Sequence, residues 1–165
     1  KHFGARVIAT TRTPEKKSFL LEHGADHVIV TQEENLAEEV NKLTEGKGFH
    51  IAFDPIDGQV LGNIAEAAAQ EASIILYGAL SNQLDTPLPL LPTLVKGLKF
   101  HGVHLVFHML RHDRRFAKAK EHLLDGLQNG IYKPVIDCIF SLDQVKVAYQ
   151  YKQSSHQRGK ILIVN

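Results

Sequence analysis

The fold class of this chain is decided by residues 4–16, which read GARVIATTRTPEK. The short apolar run at 7–9 lies between a glycine and a helix-opening proline, which is typical of a buried parallel strand. Hydroxyl groups and cations follow the strand, and Glu15 is the first acid after it. In dinucleotide-binding folds an acid there holds a free ribose 2′-hydroxyl, whereas Arg or Lys accommodates a 2′-phosphate. Arg12 and Lys16 therefore favour NADP(H) over NAD(H), with a hydrated loop carrying ordinary surface cations as the alternative.

Length and composition limit the classes of protein that the chain can represent. A length of 165 residues with 44% hydrophobic content predicts one domain with a real core. The net charge of +1 gives no bulk field that would attract nucleic acid or a membrane surface, and no apolar stretch is long enough to span a bilayer. The single cysteine, Cys138, excludes an internal disulfide and a cysteine-based zinc cluster. It fits a reducing compartment, and we expect a cytoplasmic protein.

Short apolar runs alternate with amphipathic stretches along the chain. The apolar runs predict strands at 7–9, 27–30, 49–53, 73–77, 98–106, 135–140 and 161–164. The intervening patterns predict helices at 15–23, 36–44, 58–70, 111–129 and 142–152, a helical turn at 93–97 and an irregular loop at 79–92. This alternation predicts an α/β fold with a doubly wound parallel sheet covered on both faces. Ligands of such sheets lie off the carboxyl ends of the strands.

The first residues have the pattern of the last turn of a helix, because a cation and an apolar residue precede Gly4. A helix that leads into a parallel strand should itself follow a strand. We therefore expect an earlier strand upstream of Lys1, and we expect the chain to be the C-terminal piece of a longer protein.

Several local motifs agree in order and spacing with one known family. They are GARVIA at 4–9 followed by Lys16, HGADHVI at 23–29, FDPIDG at 53–58, LYGA at 76–79, GLKFHG at 97–102 and RGKIL at 158–162. Together they resemble the nucleotide-binding half of a medium-chain dehydrogenase/reductase, with the zinc-independent quinone oxidoreductases as the most similar branch. The resemblance implies a Rossmann-like sheet whose central first strand and Gly-rich turn lie upstream, together with an N-terminal catalytic domain. Residues 1–165 would then be a partial NADP-binding domain, whose last part, about 140–165, returns toward that catalytic domain.

The resemblance also implies cofactor contacts, position by position. They are Arg12 and Lys16 at the 2′-phosphate, Thr31 near the adenosine, Pro55, Tyr77, Gly78 and Ala79, then Phe100, His101 and Gly102 beside the nicotinamide, and Arg158 and Lys160 on the closing segment. Many relatives have an aromatic residue where Thr31 stands, so a hydroxyl contact replaces adenine stacking there. Each assignment has a structural alternative: Gly78 could only end a strand, and Tyr77 could lie in the core. Asp54 fits a cap of the following helix better than a catalytic role.

The implied activity is NADPH-dependent hydride transfer to a quinone or an α,β-unsaturated carbonyl. A zinc-type alcohol dehydrogenase is the close rival, and a non-catalytic nucleotide-binding or RNA-binding module is a further alternative. The RNA-binding alternative depends on the cationic stretch at 111–120, which has no aromatic platform nearby. No triad, carboxylate pair or metal set is apparent, so the catalytic residue is unknown and the chain alone is expected to be inactive.

The histidines and the edge of the sheet give the remaining predictions. His101, His104, His108 and His112 would share a face of one continuous helix and could bind a metal there. The strand pattern at 100–106 separates the first two, so we predict no metal site. Cys138 lies in an apolar strand, which predicts a buried, inert thiol. By family analogy the strand 99–106 lies at the sheet edge, and an exposed apolar edge predicts a homodimer.

Overall fold

The elements of the fold follow the predicted alternation of strands and helices. The structure is a computed structural model that describes residues 1–83, 85–154 and 156–165. The strands are β1 Ile8–Thr11, β2 His27–Val30, β3 Phe49–Asp54, β4 Ala68–Leu76, β5 Lys99–Gly102, β6 Ile136–Ser141 and β7 Lys160–Val164. The helices are α1 Lys17–Glu22, α2 Leu36–Thr44, α3 Val60–Ala67, α4 Leu90–Lys96, α5 Leu105–Arg111, α6 Asp113–Gln128 and α7 Val145–Gln153. Short 3-10 turns precede α1 and α7, at Pro14–Lys16 and Leu142–Gln144.

Every pair of neighbouring strands in the described residues is parallel. These strands form three groups, in the orders β1-β2, β3-β4-β5 and β6-β7. The predicted parallel α/β class is therefore confirmed, although the described strands do not form one continuous sheet. Within this part of the chain β1 pairs with β2 alone and β3 with β4 alone, so each has one unpaired edge. The family resemblance implies a further strand at this break.

Helix α3 joins the first two groups of strands. Its Leu61 and Ile64 pack against the fully buried Ile74 of β4 in one apolar cluster. Ala67, at the end of the same helix, belongs to a second cluster with Ile29 of β2. The two groups of strands therefore share a core through the helices that cover them, which fixes their strand ends relative to each other.

Helix α3 ends earlier, and strand β4 begins earlier, than the sequence pattern predicted. The pattern indicated a helix over 58–70 and a strand over 73–77. The Nζ of Lys96 donates hydrogen bonds to the carbonyl oxygens of Glu66 at 2.6 Å and Ala68 at 2.9 Å. Carbonyls at a helix end lack partners within the helix, and Lys96 of α4 supplies partners for these. A contact with a distant part of the sequence therefore ends α3.

The predicted strand over 98–106 is wrong beyond Gly102. Strand β5 ends there, and α5 follows, because His104 caps the new helix. The Nδ1 of His104 accepts a hydrogen bond from the backbone N–H of Phe107 at 3.3 Å. The helix predicted at 111–129 is confirmed as α6, Asp113–Gln128, whereas α5 was not predicted. Strand β5 is the outer strand of its group, as the family analogy implied.

The remaining predictions agree with the structure to within a few residues at the element ends. Helix α4 begins at Leu90, so the loop predicted at 79–92 ends three residues earlier than predicted. The loop contains Leu84, which lies outside the described residues. The predicted elements at 135–140, 142–152 and 161–164 correspond to β6, to the 3-10 turn with α7, and to β7.

Candidate functional site

The carboxyl ends of the strands lie level within each group. Asp54 of β3, Leu76 of β4 and Gly102 of β5 are in register, and Thr11 of β1 is opposite Val30 of β2. The loops that follow these strands therefore meet along the edge where parallel sheets bind ligands. The predicted cofactor residues on these loops are Arg12, Lys16, Thr31, Pro55, Tyr77, Gly78 and Ala79.

The loops after β3 and β4 pack directly on each other at Pro55 and Gly78. The carbonyl oxygen of Pro55 accepts a hydrogen bond from the backbone N–H of Leu80 at 3.0 Å. A Cβ added to Gly78 would lie 2.7 Å from the same oxygen. Gly78 is therefore needed for this close approach of two backbones, in addition to ending the strand. Tyr77 beside it is 52% exposed and lies outside the core.

Asp54 has a structural role in the same region. Its carboxylate is 3% exposed and accepts hydrogen bonds from the backbone N–H groups of Ile56 at 2.8 Å and Asp57 at 3.3 Å. The prediction that Asp54 caps the following helix is wrong, because the N-cap of α3 is Gln59 and the Asp54 carboxylate binds this turn instead.

The ends of β1 and β2 are joined through Thr11 and Thr31. The Thr11 carbonyl oxygen accepts hydrogen bonds from the Thr31 backbone N–H at 2.8 Å and from the Thr31 hydroxyl at 3.3 Å. Arg12 follows directly and is exposed, while Lys16, at the end of the 3-10 turn, is half-buried. Glu15 lies between them, and its pKa is lowered by a hydrogen bond from Thr13, by its own backbone and by the positive charges of His156 and Arg158.

The closing segment contacts the turn that carries Lys16. The Nη2 of Arg158 donates a hydrogen bond to the carbonyl oxygen of Glu15 at 3.2 Å. The segment is anchored by Asp137, whose carboxylate accepts hydrogen bonds from the Arg158 backbone N–H at 3.2 Å and the Tyr151 hydroxyl at 2.8 Å. The hydrogen bond to Asp137 raises the pKa of Tyr151, so this phenol stays protonated. Two predicted site residues from opposite ends of the sequence, Lys16 and Arg158, are thereby brought together.

The three predicted residues of β5 lie in different surroundings. Phe100 is half-buried and packs against the apolar cluster of α3 and β4. His101 and Gly102 are exposed. In the structure Phe100 contributes to the core, and the exposed end of β5 consists of His101 and Gly102.

A groove that the sequence did not indicate lies between α1 and the residues before β6 and β7. Its volume is about 550 Å³, and its lining includes Lys16, Lys133, Arg158 and Lys160. Lys133 was not among the predicted site residues. No local signal marks it, because its neighbours in the groove are distant in sequence.

The possibility of a metal centre depends on the His, Cys, Asp and Glu side chains. In the ranges that the structure describes, no three of these side chains lie close enough together to hold an ion. His108 and His112 do come near each other at the end of α5, with ring centroids 5.6 Å apart. Cys138 is half-buried, so the prediction of a buried thiol is wrong, although partial burial and the charge of Asp137 raise its pKa. Its inertness stays a prediction.

Comparison with known proteins identifies the family. The profile of the zinc-binding dehydrogenases matches residues 1–123. A quinone oxidoreductase-like protein 2 homolog from Nematostella vectensis is 29% identical over 162 residues, covering 98% of this chain and 44% of the relative. A 2-haloacrylate reductase from Burkholderia sp is 25% identical over 165 residues, covering 99% of this chain and 49% of the relative.

A solved structure shows the same fold. The crystal structure of 2-haloacrylate reductase matches with a TM-score of 0.86 at 24% identity, covering 99% of this chain and 51% of that structure. The chain therefore belongs to the zinc-binding dehydrogenase family, within the medium-chain dehydrogenase/reductases, and corresponds to their C-terminal nucleotide-binding portion. It spans about half the length of the relatives that it matches.

The close approach at Gly78 gives a testable prediction. We expect Gly78→Ala to lower the free energy of unfolding by about 1–3 kcal/mol, because the added methyl group overpacks against Pro55. Urea unfolding of the full-length protein measures the change. Gly102→Ala is the matched control at another strand end, since a Cβ there has nothing within 4 Å. Equal losses in the two variants would contradict the close approach.

Proposed function

We propose that this chain is the NADPH-binding portion of an oxidoreductase that reduces a quinone or an α,β-unsaturated carbonyl compound. The observation that carries the proposal is the contact of Arg158 with the turn that ends at Lys16. It adds a cation from the closing segment to the strand end where Arg and Lys accommodate a 2′-phosphate. The backbone carbonyl oxygen of Glu15 accepts the hydrogen bond from Arg158, and the charge of Arg158 contributes to lowering the pKa of the Glu15 carboxyl.

The remaining contacts would hold the dinucleotide across the strand ends. The hydroxyl of Thr31 is near the adenosine, and the packed loops at Pro55 and Gly78, with Tyr77 and Ala79, form the middle of the path. His101 and Gly102 lie on the nicotinamide side, with Phe100 fixing their strand in the core. Lys160 follows Arg158 on the closing segment. These residues bind and orient the cofactor.

When bound, NADPH supplies the hydride that the acceptor carbon receives, and the protein contributes position and electrostatics. The acceptor class is supported by the names of two relatives, a quinone oxidoreductase-like protein and a 2-haloacrylate reductase. We assign no catalytic acid to this chain. Its part in the reaction is to fix the cofactor so that the nicotinamide faces a substrate held between this portion and the rest of the protein.

A zinc-type alcohol dehydrogenase is the second candidate, because the family description names zinc-binding dehydrogenases. In that case the ligands of the metal would come mainly from outside this chain. The cofactor contacts would be unchanged, so the two candidates differ in the substrate and in the catalytic group.

A homodimer through the outer edge of β5 is also part of the proposal. Beyond β5, helix α5 presents Leu105 at 66% and Leu110 at 75% exposure. Apolar side chains beside an unpaired strand edge favour pairing with a second copy.

None of the described helices is long and apolar enough to cross a membrane. A cytoplasmic location stays a prediction.

The 2′-phosphate assignment is tested by Arg12→Ala combined with Lys16→Ala. We expect NADPH binding to weaken by about 2–4 kcal/mol, because two charged hydrogen bonds to the phosphate are lost. NADH binding should change little, since NADH has no 2′-phosphate. Fluorescence titration of the full-length protein with both cofactors measures the two affinities.

The control for this variant is Arg114→Ala combined with Lys118→Ala, which removes two exposed cations of α6. It should leave both affinities unchanged. Equal losses of NADPH and NADH affinity in the double variant of Arg12 and Lys16 would contradict the 2′-phosphate assignment. Absence of any nicotinamide binding by the unmodified protein would refute the proposed function.

The dimer is tested by light scattering of the full-length protein. We expect a dimer, and we expect Leu105→Lys to shift it toward the monomer by placing a charge beside the paired edge. Leu123→Lys is the control, because Leu123 is also more than half exposed but lies on α6. A monomeric unmodified protein would rule out the edge as an interface.

A further inference from the structure

The groove beside α1 combines an apolar wall with a cationic rim. Phe19 and Leu20 of α1 line one side, and Pro134 and Val135 line the other. All of these are partly or fully accessible along the groove. The two sides are joined next to α1, where the Nη2 of Arg158 donates a hydrogen bond to the Glu15 carbonyl oxygen at 3.2 Å. A volume of about 550 Å³ lies within the usual range of small-molecule sites.

The charge of the groove is of one sign. Lys16, Lys133, Arg158 and Lys160 line it, and none of the lining residues is Asp or Glu. Glu15 is adjacent but does not line the groove, and the charge of Arg158 contributes to lowering the pKa of the Glu15 carboxyl. Cations that converge from three separate segments, without carboxylates among them, attract an anion such as a phosphate monoester.

One polar atom of the lining lacks a partner. The side-chain oxygen Oε1 of Gln157 is buried and has no hydrogen-bond partner among the described residues. Buried polar atoms in proteins are almost always hydrogen-bonded. The atom has no accessible surface, so a ligand lying in the groove does not reach it. The apolar wall and the cationic rim suit a ligand that carries a phosphate and an apolar face.

We propose that the groove binds the adenosine 2′-phosphate end of the dinucleotide and that Lys133 is a specificity-determining residue for the 2′-phosphate. The inference rests on the proposed function. It extends the phosphate site from the end of β1 to the segment that contains Lys133, which belongs to none of the family motifs. Lys16 and Arg158 belong both to the strand end and to the groove, so the two sites are continuous.

The test compares NADPH and NADH binding to the full-length protein and to Lys133→Gln. We expect the variant to bind NADPH about tenfold more weakly, the equivalent of one lost charged hydrogen bond, and to bind NADH unchanged. Lys118→Gln on α6 is the matched control and should change neither affinity.

The outcomes separate this inference from the function on which it rests. If the unmodified protein prefers NADPH and Lys133→Gln keeps that preference in full, the role of Lys133 is overturned and the proposed function stands. Equal losses of NADPH and NADH in Lys133→Gln would also overturn it, since the effect would not depend on the 2′-phosphate. If the unmodified protein shows no preference for NADPH, the proposed cofactor itself fails. Lys133 is exposed, so an unchanged unfolding midpoint is expected and confirms that the variant is folded.

Discussion

Parallel strand pairing is the constraint on which the candidate site depends. Register places the ends of β3, β4 and β5 on one line and those of β1 and β2 on another. The loops that follow can therefore act together although they are far apart in sequence. The same pairing leaves one edge of β1 and one edge of β3 without a strand among the described residues. The family resemblance implies a further parallel strand between these edges.

The packing of the helices explains how the β1-β2 group and the β3-β4-β5 group keep their relative positions although no strand pairing joins them. Helix α3 contributes to both buried clusters, and the alanines at its end bring the groups close. At the far side, Asp137 holds the closing segment through Tyr151 and the backbone of Arg158. This anchoring carries the Arg158 guanidinium to the turn at Lys16. The cationic end of the proposed cofactor path is thus assembled by tertiary contacts as much as by local sequence.

Much of the fold could be predicted from the sequence, because short apolar runs and helix-ending glycines are local signals. The misplaced boundaries have long-range or unusual causes. Lys96 ends α3 by bonding its last carbonyls, and His104 starts a helix with a ring nitrogen where Ser, Thr, Asp or Asn is the common cap. Neither effect follows from periodicity. The candidate site likewise contains residues that local sequence predicts and residues that it does not. Arg12 and Lys16 follow a recognisable strand, whereas Lys133 acquires its neighbours only when the chain folds.

The central claim is that NADPH lies across the carboxyl ends of β1 to β5, with its 2′-phosphate at the cationic turn. A crystal structure of the full-length protein with NADPH tests it most directly. The account predicts a dinucleotide that passes the loops at Pro55 and Gly78 and a 2′-phosphate within hydrogen-bond distance of Lys16. A dinucleotide bound at the amino ends of these strands, or a 2′-phosphate away from every cation of the turn and the groove, would contradict it.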